Sequence, residues 1–146
     1  MKIRVVVEVR PTEDIDRVMR ALTNFFDPER IRIQPYGSSR LIIAESQNPK
    51  SLRKLRTGLR RQRILDATRN YLKRGVRGQE MLEFYLNKQA AYMNIISFCS
   101  VEEGESPLGS IVFRIYSSNI EKVIDWIAPP TKGGKPLYEV KSPPDP

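Results

Sequence analysis

The chain has 146 residues, 40% of them apolar and 29% charged, and a formal charge of +8. That suits one globular domain with a real core and excludes a disordered or fibrous class. Histidine is absent and Cys99 is the one cysteine, which excludes histidine-based triads, imidazole metal ligands, thiolate zinc clusters and an internal disulfide.

Residues 2–10 alternate, with Ile3, Val5, Val7 and Val9 on one side, and predict a half-buried strand stopped by Pro11. Thr12 is placed to cap a helix whose first turn carries Glu13 and Asp14. Its apolar stripe is Ile15, Val18, Met19, Leu22 and Phe26, and Asp27-Pro28 ends it. Residues 30–34 and 40–46 predict two more strands around the turn Pro35-Tyr36-Gly37-Ser38. Asn48-Pro49 then opens a long helix, from about 49 to 74, closed by Gly75. On it Leu52, Leu55 and Leu59 share one side, while Ile64, Ala67 and Tyr71 lie roughly opposite. The apolar face flips near Gln62-Arg63, through a break there or through neighbours on both sides, one of which could be a second copy of the chain.

Strands are predicted at 81–86, 94–101 and 110–117, with 87–92 ambiguous between strand and turn. An acidic loop spans 102–109. Ser118-Asn119-Ile120-Glu121 reads as a capping-box start to a last helix with Ile120, Val123, Ile124 and Ile127 inward. Residues 129–146 hold six of the eleven prolines and form a tail, extended except where Leu137-Tyr138-Glu139-Val140 could dock as an edge strand. The expected order is β-α-β-β-α-β-β-β-α: one α+β domain over 1–128, a two-layer sandwich with a mainly antiparallel sheet and helices on one face. No apolar run approaches the roughly 20 residues of a membrane-spanning helix. The N-terminus has no signal-peptide cleavage pattern, so a cytoplasmic protein that does not enter membranes is expected.

Charge is the informative feature. Residues 50–77 hold eleven lysines and arginines against one acid, Asp66, so that stretch carries +10 and the rest of the chain −2. Such concentration points to an anionic partner; the alternative is a solvated helix face. Arg53, Arg56, Arg60 and Arg63 form a stripe opposite the early leucines, with Lys54 and Arg61 at its rim. Arginines so arranged grip phosphates and release counterions, favouring recognition of structured or ribosomal RNA through its backbone. Asn87-Lys88-Gln89 is a second candidate, able to bind a phosphate or base edge, or else to satisfy backbone groups at a bend. Tyr36, Tyr85 and Tyr92 could stack bases or fill the core. Catalytic signals are weak. No phosphate-binding glycine loop occurs, and the acidic sets Glu13/Asp14/Asp16 and Glu102/Glu103/Glu105 suit a helix start and a solvated loop. Cys99 and Trp126 read as core. No cofactor, metal or enzymatic activity is expected. The competing reading is a self-assembly module that dimerises through Ile64, Ala67 and Tyr71.

Pro11-Thr12-Glu13-Asp14 after the first strand, the run Arg60-Arg61-Gln62-Arg63-Ile64-Leu65-Asp66-Ala67, Leu86-Asn87-Lys88-Gln89-Ala90-Ala91, and Val123-Ile124-Asp125-Trp126-Ile127-Ala128-Pro129 together resemble an archaeal family, uncharacterised protein family 0201. The resemblance runs from about residue 3 to 140. It implies a fold like that of ribosomal large-subunit protein five, an archaeal source and an RNA-binding role drawn from fold analogy. It implies no enzymatic activity and brings no binding residues to carry over.

Overall fold

Alternating valine and isoleucine give β1 (Lys2–Val9) one apolar face, with Ile3, Val5, Val7 and Val9 all buried. The same period builds β2 (Arg30–Tyr36), β3 (Ser39–Ser46), β5 (Met81–Asn87) and β6 (Ser110–Tyr116), while β4 (Val76–Arg77) is a two-residue edge piece. In the computed structural model, which describes residues 1–100 and 109–143, these strands form one antiparallel sheet in the order β2-β3-β1-β6-β5-β4. Gly37-Ser38 joins β2 to β3, and Gly37 takes the φ of +59° that a two-residue hairpin turn needs at its first position.

The helices are α1 (Ile15–Thr23), α2 (Arg53–Arg61), α3 (Leu65–Arg74), α4 (Lys88–Tyr92) and α5 (Ile120–Ile127), with a 3-10 turn at Pro49–Leu52. Their apolar sides meet one face of the sheet in a single core. Phe84 stacks on Phe113 at 4.9 Å, and Phe26 meets Phe113 edge-on at 6.1 Å. Gly75 ends α3 against β5 so closely that a Cβ there would lie 2.2 Å from the Glu83 carbonyl oxygen.

The architecture is the expected α+β arrangement, but the element order departs from the expected one. The helix expected over 49–74 is two helices. α2 ends in a Schellman cap: Arg63 adopts φ +57°, its N–H donates to the Arg60 carbonyl at 3.2 Å, and the Ile64 N–H donates to the Leu59 carbonyl at 3.2 Å. The flip of the apolar face is this break. The ambiguous 87–92 stretch is a helix whose N-cap, Asn87, accepts from the Ala90 N–H at 2.8 Å. It ends as α2 does, with Asn94 at φ +63°.

The strand expected at 94–101 is absent over its described part. Residues 97–99 lie beside β5 and bridge it only at Leu86 and Phe98. The Gln62 amide holds this segment, donating to the Ile96 carbonyl at 3.0 Å and accepting its N–H at 2.7 Å. Asp14, not Thr12, caps α1, accepting from the Asp16 N–H at 2.9 Å, and α1 stops at Thr23, short of Asp27-Pro28. The tail is more ordered than expected. β7 (Thr131–Lys132) and β8 (Lys135–Pro136) form a hairpin around Gly133-Gly134, both at positive φ. Residues 137–140 make no edge strand. They begin a strap, residues 137–143, that lies back on the domain, with Val140 against the core and Pro143 buried. Glu102, Glu103 and Glu105 lie outside the described residues.

Candidate nucleic-acid interface

The basic segment does two different jobs. A helix leaves its last carbonyls without intrahelical partners. At the end of α5 three successive carbonyls are taken by arginines of α2 and α3. Arg56 Nε donates to Trp126 O at 3.0 Å, Arg60 Nη1 to Ile127 O at 3.1 Å, and Arg69 Nη1 to Ala128 O at 3.1 Å. The positive groups also meet the negative end of the helix dipole. Carboxylates complete the arrangement. Glu139 of the strap receives a fork from Arg60, 2.7 Å at each oxygen, and lies 3.9 Å from Arg56; Asp125 pairs with Arg69 at 2.7 Å. The Arg56 guanidinium sits 4.6 Å over the Trp126 ring.

Ionisation follows this geometry. Burial, then the neighbouring Arg60 charge, lowers the Arg56 pKa, and Glu139 acts against them. The hydrogen bond from Arg60, with the charges of Arg60 and Arg56, holds Glu139 below its ordinary carboxylate value despite partial burial.

The expected outward stripe is therefore not intact. Arg56 and Arg60 face the α5 end and the strap, because the apolar side of α2 leaves them next to unsatisfied carbonyls. Arg53 and Arg63 are exposed and have no ion pair among the described residues. Lys54 pairs with Asp27 at 3.0 Å and donates to Thr23 O, and Arg61 leans on the Asn94 carbonyl at 3.3 Å.

The second candidate is mostly structural. Lys88 is buried, its Nζ donating to Glu8 O at 2.9 Å and pairing with Glu13 at 3.1 Å. Burial works to raise the Glu13 carboxyl, but the Arg10 N–H and Lys88 hold it low. Asn87 is the α4 cap, and Gln89 alone stays exposed. The expected dimer seam is also spent inside the chain. Ile64 and Tyr71 pack on the core, Tyr71 lies 4.6 Å from Phe98, and only Ala67 is exposed.

Of the tyrosines, Tyr36 is exposed on β2 and Tyr92 packs on the core. Tyr85 donates to Glu83, which also takes Arg114 Nε at 2.8 Å. Burial, then the Glu83 bond and charge, pushes the Tyr85 hydroxyl up to about 12. Burial works to raise Glu83 in turn, but the bonds from Tyr85 and Arg114 and the charges of Arg114 and Arg77 outweigh it.

What remains accessible gathers elsewhere. A cleft of about 770 Å³ between α3 and α5 balances Arg69 and Lys73 against Glu121 and Asp125. A second, of about 670 Å³, opens between the start of α2 and the strap. Lys50, Arg53, Arg56 and Lys141 line it against one carboxylate, Glu29, with Trp126 beside them. Lys50, Arg53 and Lys141 are exposed, and none has an ion pair among the described residues. Lys141 and the α5 partners escape a reading of the helix alone, because nothing local tells that the tail returns to α2.

A family model described as RNA binding matches residues 2–116, from β1 through β6. The UPF0201 protein of Pyrobaculum calidifontis is 46% identical over 98% of this chain and 99% of its own length. The chain belongs to the UPF0201 family. The UPF0201 protein of Aeropyrum pernix is 43% identical over 98% of this chain and 95% of its own length. The crystal structure of the UPF0201 protein from Methanococcus jannaschii superposes with a TM-score of 0.81 at 31% identity, covering 94% of this chain and all of that one. The RNA-binding domain match includes Lys50, Arg53, Arg56 and Arg60 but ends before α5 and the strap. No helix among the described residues is long and apolar enough to cross a membrane.

Proposed function

We propose that this UPF0201 protein binds structured RNA by its sugar-phosphate backbone at the cleft between the start of α2 and the strap, and catalyses no reaction. The observation that carries the reading is the charge around that cleft: Lys50, Arg53, Arg56 and Lys141 against Glu29 alone. Arg56 is held by Trp126 and so is pre-ordered, while Lys50, Arg53 and Lys141 are free to follow a phosphate chain. The match of residues 2–116 to an RNA-binding family model supports it. Cations that are not organised as base-reading forks favour backbone over sequence recognition. The absence of histidine supports a binding rather than a catalytic role.

Filter binding of the full chain to a mixed pool of structured RNA, at low and raised salt, tests this. The double variant Lys50→Glu, Arg53→Glu changes only exposed side chains. It is expected to bind at least about tenfold more weakly at low salt, and its log K against log salt slope is expected to flatten by about 1.5–2, as for two lost phosphate contacts. Equal affinity of variant and parent, or no binding by the parent at low salt, overturns the proposal.

A further inference from the structure

The far edge of the sheet carries a feature that the RNA reading does not use. β2 is the outermost strand and every one of its seven residues is exposed, including Ile31 at 44% and Ile33 at 47%. Their cross-strand neighbours on β3, Ala44 and Ile42, are fully buried, so the helix layer stops one strand short of this edge.

The backbone is open as well. The two-residue turn makes Tyr36 and Ser39 the hydrogen-bonded pair that closes the hairpin. Alternation from there directs the N–H and C=O groups of Arg30, Arg32 and Gln34 to β3. Those of Ile31 and Ile33, with the Pro35 carbonyl, point outward. Pro35 thus sits where its missing N–H costs the hairpin nothing.

We propose that β2 is the docking edge for β2 of a second copy of this chain, paired antiparallel about a two-fold axis at Ile33. The strand is complementary to itself in that register. Both Ile33 N–H groups reach the facing Ile33 carbonyl, and both Ile31 N–H groups reach the facing Pro35 carbonyl. On the helix side Ile33 meets Ile33 and Ile31 meets Pro35. On the other face Arg32 stands opposite Gln34, and Arg30 opposite Tyr36, a neutral amide and a ring that a guanidinium can cover.

The neighbouring registers are worse. Slipping one way sets Arg32 on Arg32; slipping the other removes the Ile31 bonds. Arginine and proline often blunt free edges, and here they also select one alignment. The product joins two six-stranded sheets into one and closes as a symmetric dimer.

Light scattering of the full chain across a concentration series tests this independently of RNA. The parent is expected to shift with concentration from 16.9 kDa to twice that mass. Ile33→Lys, at an exposed site, is expected to stay monomeric. Residue 34 gives a signed test: Gln34→Glu should tighten the dimer by about threefold to tenfold by facing Arg32, and Gln34→Lys should weaken it similarly. A parent that is monomeric throughout overturns the proposal. So does a dimer indifferent to Ile33→Lys and to the sign of charge at residue 34, which would assign the contact to another face.

Discussion

Two single residues set the path of the chain from left-handed conformations. Arg63 and Asn94 each occupy the C′ position of a Schellman cap, at φ +57° and +63°. Asparagine tolerates that region, whereas an arginine there carries strain of about 1 kcal/mol. Arg63→Gly is therefore expected to leave the fold unchanged and to raise unfolding stability by up to about 1 kcal/mol, less what glycine adds to unfolded-state entropy; Arg63→Val should lower it. Chemical denaturation of the two variants checks the order. Lys88 shows how a residue type misleads. Read locally it is a surface amine beside two amides, yet its Nζ is folded between Glu8 O and the Glu13 carboxylate, 75 and more positions away in sequence. Lys88→Met is expected to cost about 1.5–3 kcal/mol, since it strands a buried carbonyl and a carboxylate that can only partly rehydrate; thermal unfolding reads the loss.

Among the elements, those with a clean period were legible. β1 and α5 follow from alternation or a helical stripe because one face of each is mostly buried and the other mostly is not, and β3 and β6 follow from their runs of β-branched and aromatic residues. The join of α2 and α3 was visible as a flipped apolar face, but a break could not be told from a second neighbour, because Arg63 has no turn signature. Residues 94–100 mislead for the opposite reason: Ile95, Ile96, Phe98 and Cys99 have strand composition, but a side-chain amide, Gln62, takes the place of a strand partner. Gly133-Gly134 did carry a hairpin signal, masked by the surrounding prolines. That residues 137–140 dock was legible, but not the form of the docking, a strap held by Val140 on the core and by Glu139 meeting arginines nearly eighty positions back. It yields a pH prediction. The Glu139 carboxyl lies below its ordinary 4.5 in the folded chain, so its contribution is complete above that value and is lost as pH falls through the lowered one. Amide exchange in residues 137–143 is expected to be steady from about pH 7 to 5, after correction for intrinsic rates, and to rise below 4.5. Glu139→Gln should show the raised exchange already at neutral pH. A strap equally protected in parent and variant would show that the ion pair does not hold it.

For the whole molecule, net charge overstates what a partner meets. Of the eleven cations in residues 50–77, Lys54, Arg56, Arg60 and Arg69 are ion-paired within the fold. The field that steers a polyanion comes mainly from the others and from Lys141, so the count of basic residues predicts attraction while only tertiary structure tells which side chains can act on it. The charge segregation was legible in the sequence, and so were Arg53 and Arg56; the rest of the cleft was not, because four of its eleven lining residues, Trp126, Lys141, Ser142 and Pro143, come from the far end of the chain. One consequence concerns selectivity. Arg56, Arg60 and Arg69 finish the last turn of α5, so an anion that draws any of them away leaves bare peptide oxygens behind. A lone phosphate or a short acidic peptide brings fewer charges to offset that fraying than a polyanion does. The arginine clasp thus works as a threshold: a ligand dense enough in charge to cross it would loosen α5 as it binds, and a sparse one would be held only by the side chains already free.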